Sequence, residues 1–127
     1  MTRHEVHRAA VKWASRFFNL TAVSNRTGYH AKGADGARYR IHGRQRHEWQ
    51  GASGYHTEFT LPSDKPFEWA VLVEFDESDR VEAACKLSRA DVRRIGKTYA
   101  NHTTKVSILP MLRPDHAAQL KGKMIYP

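Results

Sequence analysis

The chain is 127 residues long, enough for one domain with a buried core and short for two, and it carries 21 Lys and Arg against 13 Asp and Glu, a formal +8, with eight histidines besides. One cysteine, Cys85, excludes an intrachain disulfide and a thiolate zinc cluster, and no apolar run reaches the length of a signal segment or a membrane span. These features predict a single soluble, cytoplasmic domain over residues 1–127, not associated with membranes, and a basic balance of this kind suits a polyanionic partner.

Thr2 followed by Glu5 has capping-box spacing, and Val6, Ala10, Trp13 and Phe17 recur at helical intervals, so the pattern predicts an amphipathic helix over residues 3–18. Arg8, Lys12 and Arg16 line another side of that helix and read as its solvated face. Residues 27–33 and 37–42 flank Ala34-Asp35-Gly36 and predict a hairpin. On its second strand Tyr39 and Ile41 point one way, while Arg38, Arg40 and His42 point the other. A two-residue turn would set His30 opposite Ile41. A three-residue loop with Gly36 left-handed sets it opposite Arg40 and keeps Tyr39 and Ile41 for the core, so the longer loop is expected.

Residues 47–66 show no sustained period and read as a long loop with a short element inside. Trp69-Ala70-Val71-Leu72-Val73 is continuously apolar and predicts a central strand. Val81, Ala83, Cys85 and Leu87 alternate with polar residues as a second strand beside it, which makes Cys85 a buried small side chain. Ser88 and Asp91 open a helix expected to run to about Lys97. Val106 to Leu109 reads as one more strand, and Pro114-Asp115 as the start of a short helix ended by Gly122. The fold class expected is mixed α+β, a mixed sheet flanked by helices.

Several of these pieces, in this order, resemble the PD-(D/E)XK superfamily of restriction-endonuclease-like nucleases. Gly28-Tyr29-His30-Ala31, the Asp35-Gly36 turn and Arg40-Ile41-His42-Gly43-Arg44 fall where that family carries its Asp, its turn and its acidic residue, hydrophobic residue and Lys, in some members followed by Gly-Arg. Residues 67–76, 80–84 and the helix opening at Ser88 look like the later strands and helix, so the resemblance covers roughly residues 3–97 and implies a restriction-endonuclease-like sheet. It also implies that His30, Arg40 and His42 occupy the catalytic positions. The chemistry there departs from the family: Mg²⁺ needs oxygen ligands at roughly 2.0–2.1 Å. An Arg among them adds repulsion on the order of 4 kcal/mol at about 4 Å. The usual magnesium site does not carry over, and no metal ligands are assigned.

The reading that follows is a nucleic-acid-binding protein on a nuclease-like scaffold, with DNA favoured over RNA, no cofactor, and a homodimer left open. His30, Arg40 and His42 form its degenerate centre, and Arg26, Lys32, Arg38, Arg44 and Arg46 form a basic strip for phosphates. Trp49, Tyr55 and Phe59 are candidates for stacking on bases or for sealing the core edge. Alternatives are a nuclease in which His30 and His42 work as general base and acid without metal, a metal-dependent one with relocated ligands such as Glu58 or Asp64, or one using a transition metal held by His30 and His42 with His47, His56 or Glu58. An interaction subunit whose basic face meets an acidic protein is a further class.

Overall fold

The computed structural model describes residues 1–23, 28–45, 58–62, 65–98, 103–107 and 123–126. Helix α1 spans Arg3–Phe18. The capping box is formed in both directions: Glu5 N–H donates to Thr2 Oγ1 at 3.1 Å and Thr2 N–H to Glu5 Oε1 at 2.9 Å. Asn19, left-handed at φ 55°, ends the helix, a conformation that Asn tolerates better than most residues.

The strands are β1 (Thr21–Ala22), β2 (Ala31–Lys32), β3 (Arg38–Gln45), β4 (Glu58–Pro62), β5 (Trp69–Phe75), β6 (Val81–Ser88), β7 (Lys97–Thr98), β8 (Thr103–Ser107) and β9 (Met124–Tyr126), with helix α2 (Arg89–Ile95) between β6 and β7. Among the described residues they form one six-stranded mixed sheet, ordered β1-β2-β3-β5-β6-β9, and one three-stranded sheet, β4-β8-β7. The apolar run does become the central strand: β5 lies parallel to β3 on one side and antiparallel to β6 on the other.

The period-2 pattern of β5 divides the core into two layers. Val71, Val73 and Phe75 join Tyr39, Ile41 and the buried stripe Val6, Ala10, Ala14 of α1. Ala70 and Leu72 face the other way and join Cys85 and Leu87 of β6, Phe59 and Leu61 of β4, Val106 of β8 and Val92 and Ile95 of α2. Helix α1 thus covers one face of the large sheet, and the small sheet with α2 covers the other. Each such buried aliphatic side chain contributes about 1.5–3 kcal/mol. Burial also raises the Cys85 thiol well above its ordinary range, which makes it an inert core side chain. On the α1 face the Lys86 ammonium lies 4.2 Å from the Trp69 ring centroid and 4.9 and 5.2 Å from those of Phe18 and Tyr39, a cation–π contact that lets a lysine sit half-buried.

Several boundaries differ from the sequence reading. The first hairpin strand is only Ala31–Lys32, because His30 leaves the ladder to use its side chain, as described below. The second runs on to Gln45, paired along its length with β5. The middle stretch contains β4, whose Phe59 is core and not a stacking surface. Helix α2 stops at Ile95: Gly96 N–H still donates to Val92 O, but Gly96 is extended and Lys97–Thr98 pairs with β8. The strand expected from Val106 begins at Thr103. The short helix expected after Pro114 lies outside the described residues, as do Trp49, Tyr55, His47, His56 and Asp64.

Candidate nucleic-acid interface

The hairpin between β2 and β3 has the three-residue loop. Gly36 is left-handed at φ 86°, Gly36 N–H donates to Gly33 O at 3.0 Å, and Gly33 N–H to Ala37 O at 2.9 Å. A non-glycine residue at 36 would be strained there. The register is Ala31 with Tyr39 and Lys32 with Arg38, so His30 falls opposite Arg40. At that point the regular ladder ends. His30 N–H donates to Tyr39 O at 2.8 Å, and the next donor, Ile41 N–H, is taken by His30 Nδ1 at 2.8 Å. An imidazole thus stands in for a strand carbonyl at the edge of β3.

His42 lies two residues along, on the polar face of β3. Its Nε2 accepts from Arg40 Nε at 3.2 Å, and Arg40 Nη1 donates to Gly28 O at 2.6 Å. The His30 and His42 rings meet edge-to-face with centroids 5.7 Å apart, and His7 of α1 meets His30 at 4.7 Å. Burial, followed by the nearby Arg40 guanidinium, pushes His30 down to about 4 and His42 to about 3. His7 is lowered by burial and by His4 and Arg40. These imidazoles are neutral at pH 7, and in both His30 and His42 the acceptor nitrogen is already occupied by a donor of the protein itself. His30 and His42 therefore brace the β3 edge and offer no open lone pair as a general base in this arrangement.

What brings α1 against this edge is Gly43. A Cβ there would stand 2.7 Å from Ala10 Cβ and 2.8 Å from Val6 O, so only glycine admits the helix at this distance. The approach creates a cleft of about 740 Å³ with Arg3, His4 and His7 on one side, His42 and Arg44 on the other, and Phe59 and Thr60 of β4 at its end. A second hollow, about 650 Å³, shares His4 and His7 and continues along α1 past Arg8, Lys12 and Arg16, with His30 and Val23 opposite. Together they make one trough following α1 from Arg3 to Arg16, roughly 20 Å at about 1.5 Å per residue. Every titratable side chain among its described lining residues is basic.

The structure brings together His30, Arg40 and His42 on the hairpin, and places Arg44 in the cleft, aligned with buried Glu74 of β5. It takes Arg38 out of the strip: its guanidinium forms a two-pronged ion pair with Glu68, at 2.7 Å from Nη2 to Oε2, and Glu68 Oε1 also accepts from Arg38 N–H. Lys32 is exposed on the same strand pair, and Arg26 and Arg46 lie outside the described residues. Arg8, Lys12 and Arg16 of α1, which the sequence reading placed on a solvated face in preference to phosphate contact, line the second hollow. The spacing of Arg8, Lys12 and Arg16 was visible, but a helix face becomes a groove wall only when the opposite wall is known. Among the described residues no group of three or more His, Cys, Asp or Glu is disposed to hold a metal ion, and no helix is long and apolar enough to cross a membrane. Comparison with protein-family models and with curated proteins finds no match for this chain.

Proposed function

We propose that this chain is a nucleic-acid-binding domain whose trough between α1 and the β3 edge takes the phosphate backbone. The observation that carries this reading is the one-signed lining of the trough: Arg3, Arg8, Lys12, Arg16 and Arg44 supply the charge, His7, His30 and His42 beside them are neutral at pH 7, and no carboxylate stands among its described lining residues. A trough of that length runs beside about six phosphates at about 3.4 Å per step of one strand. The resemblance to PD-(D/E)XK nucleases supports the same partner and favours DNA, since the positions that resemble the family's motif sit on the hairpin forming one wall.

Binding here is electrostatic and independent of sequence, because phosphate contacts position a ligand without reading its bases. Catalysis is no part of the proposal. The test is fluorescence anisotropy of the purified protein with labelled DNA and RNA at low salt, in EDTA and again with magnesium. Retention of the intact oligonucleotide under both conditions is expected. No binding at low salt would overturn the reading, and cleavage that requires magnesium would replace it with a nuclease.

A further inference from the structure

Beyond the trough, on the other flank of α1, a hollow of about 730 Å³ lies between the helix and the β5–β6 turn, lined by Trp13, Phe17, Lys12, Arg16 and Arg80 among others. Trp13 and Phe17, one helical turn apart, are stacked with ring centroids 5.0 Å apart and planes at 22°. Phe17 is 51% exposed, the only large hydrophobic side chain so exposed among the described residues. Burying that ring would be favourable, and nothing in the described fold does so.

Three cations, Lys12, Arg16 and Arg80, and one carboxylate, Asp79, line this hollow. The side chains of Lys12, Arg16 and Arg80 make no hydrogen bond or ion pair among the described residues. The carboxylate in this hollow, Asp79, is held from within: Gln45 Nε2 donates to it, and the N-terminal ammonium stands 3.8 Å away. Lys12 and Arg16 line both the trough and this hollow, so they form a crest with phosphate sites on one side and aromatic rings on the other.

We propose that the Trp13–Phe17 platform stacks an unpaired nucleobase while Lys12, Arg16 and Arg80 hold the flanking phosphates, so that the preferred ligand is single-stranded nucleic acid. The proposal rests on the nucleic-acid reading of the trough and deepens it. An aromatic face beside an array of cations matches the two-part chemistry of a single strand, flat π surface and charged backbone, whereas a duplex keeps its bases stacked within itself. A neutral apolar partner would desolvate these three cations and bring no counter-charge of its own.

The test compares wild type with Phe17→Ala and Phe17→Trp against three labelled probes of equal length: oligothymidylate, an abasic phosphodiester strand and a duplex. Since Phe17 is exposed, neither change threatens the core. Phe17→Ala should weaken oligothymidylate binding by roughly tenfold, within the range of about fivefold to a hundredfold for losing one base–aromatic stack. Phe17→Trp should retain it, and the abasic strand and duplex should be unaffected by either change. Equal losses on all three probes, or none on oligothymidylate, would overturn the platform while leaving the trough intact. If wild type binds none of the probes at low salt, the trough and the platform both fall.

Discussion

The two helices open on the same device and then use their charges in opposite ways. Each starts with a capping box, Thr2 with Glu5 in α1 and Ser88 with Asp91 in α2. In α2 the box carboxylate is buried and doubly paired, with Arg94 at 3.0 Å and Lys123 at 3.2 Å, tying the helix to the segment that leads into β9. In α1 the box carboxylate is exposed, and Lys12 and Arg16 further along form no ion pair among the described residues. A net charge of +8 says nothing about which cations are available to a partner. Their pairing does: α2 is held in place by its charges, while α1 presents them along a trough.

The sharpest way to break this contrast is charge reversal. Lys12→Glu with Arg16→Glu should lower the affinity for a labelled oligonucleotide about a hundredfold at low salt, whereas Arg93→Glu, on the exposed side of α2, should cost less than about twofold. Comparable losses at both helices would mean that total charge governs binding and the trough does not.

Stability should show the reverse ranking. Burial by itself would raise the Asp91 carboxyl, but hydrogen bonds from Ser88, Arg94 and Lys123 prevail and hold it down to about 2. Asp91→Asn should therefore destabilise the protein by about 2 kcal/mol in urea denaturation. The matching change in α1, Glu5→Gln, should cost less, since its carboxylate is solvent-exposed.

A pH slope set by the hairpin adds to these. His30 and His42 titrate at about 4 and about 3 in the folded chain, below the ordinary imidazole value of about 6.5. Between those limits the unfolded chain binds more protons, so stability should fall as pH drops from about 6.5 toward 4, by up to about 1.4 kcal/mol per unit for each histidine. Denaturation curves at successive pH values measure this, and His42→Asn should flatten the dependence. A slope unchanged by that substitution would show that His42 is not held neutral in the fold.

Much of the frame was legible in the sequence because it rests on local chemistry. The capping boxes, the apolar run of β5, the alternation along β3 and the left-handed Gly36 each specify their own geometry, and the last of these sets the register that aligns His30 with Arg40. Less was legible where a residue's meaning depends on a distant neighbour. Gly43 reads as a motif glycine until α1 is found lying on it, and Arg38 reads as a phosphate ligand until Glu68 is found beside it. The two-residue strands β1 and β7 carry too few residues for a period to show. The trough itself is tertiary: residues 3–16 form one wall and residues 22, 23, 30 and 42–44 the other, and no local pattern joins them.

If phosphates lie in the α1–β3 trough, binding depends steeply on salt. With about six phosphates engaged, affinity for a labelled oligonucleotide should fall roughly a thousandfold between 50 and 200 mM monovalent salt, and the Lys12→Glu, Arg16→Glu protein should show a slope shallower by about two contacts. A slope near zero, or one that the double substitution leaves unchanged, would show that phosphates do not lie in the trough.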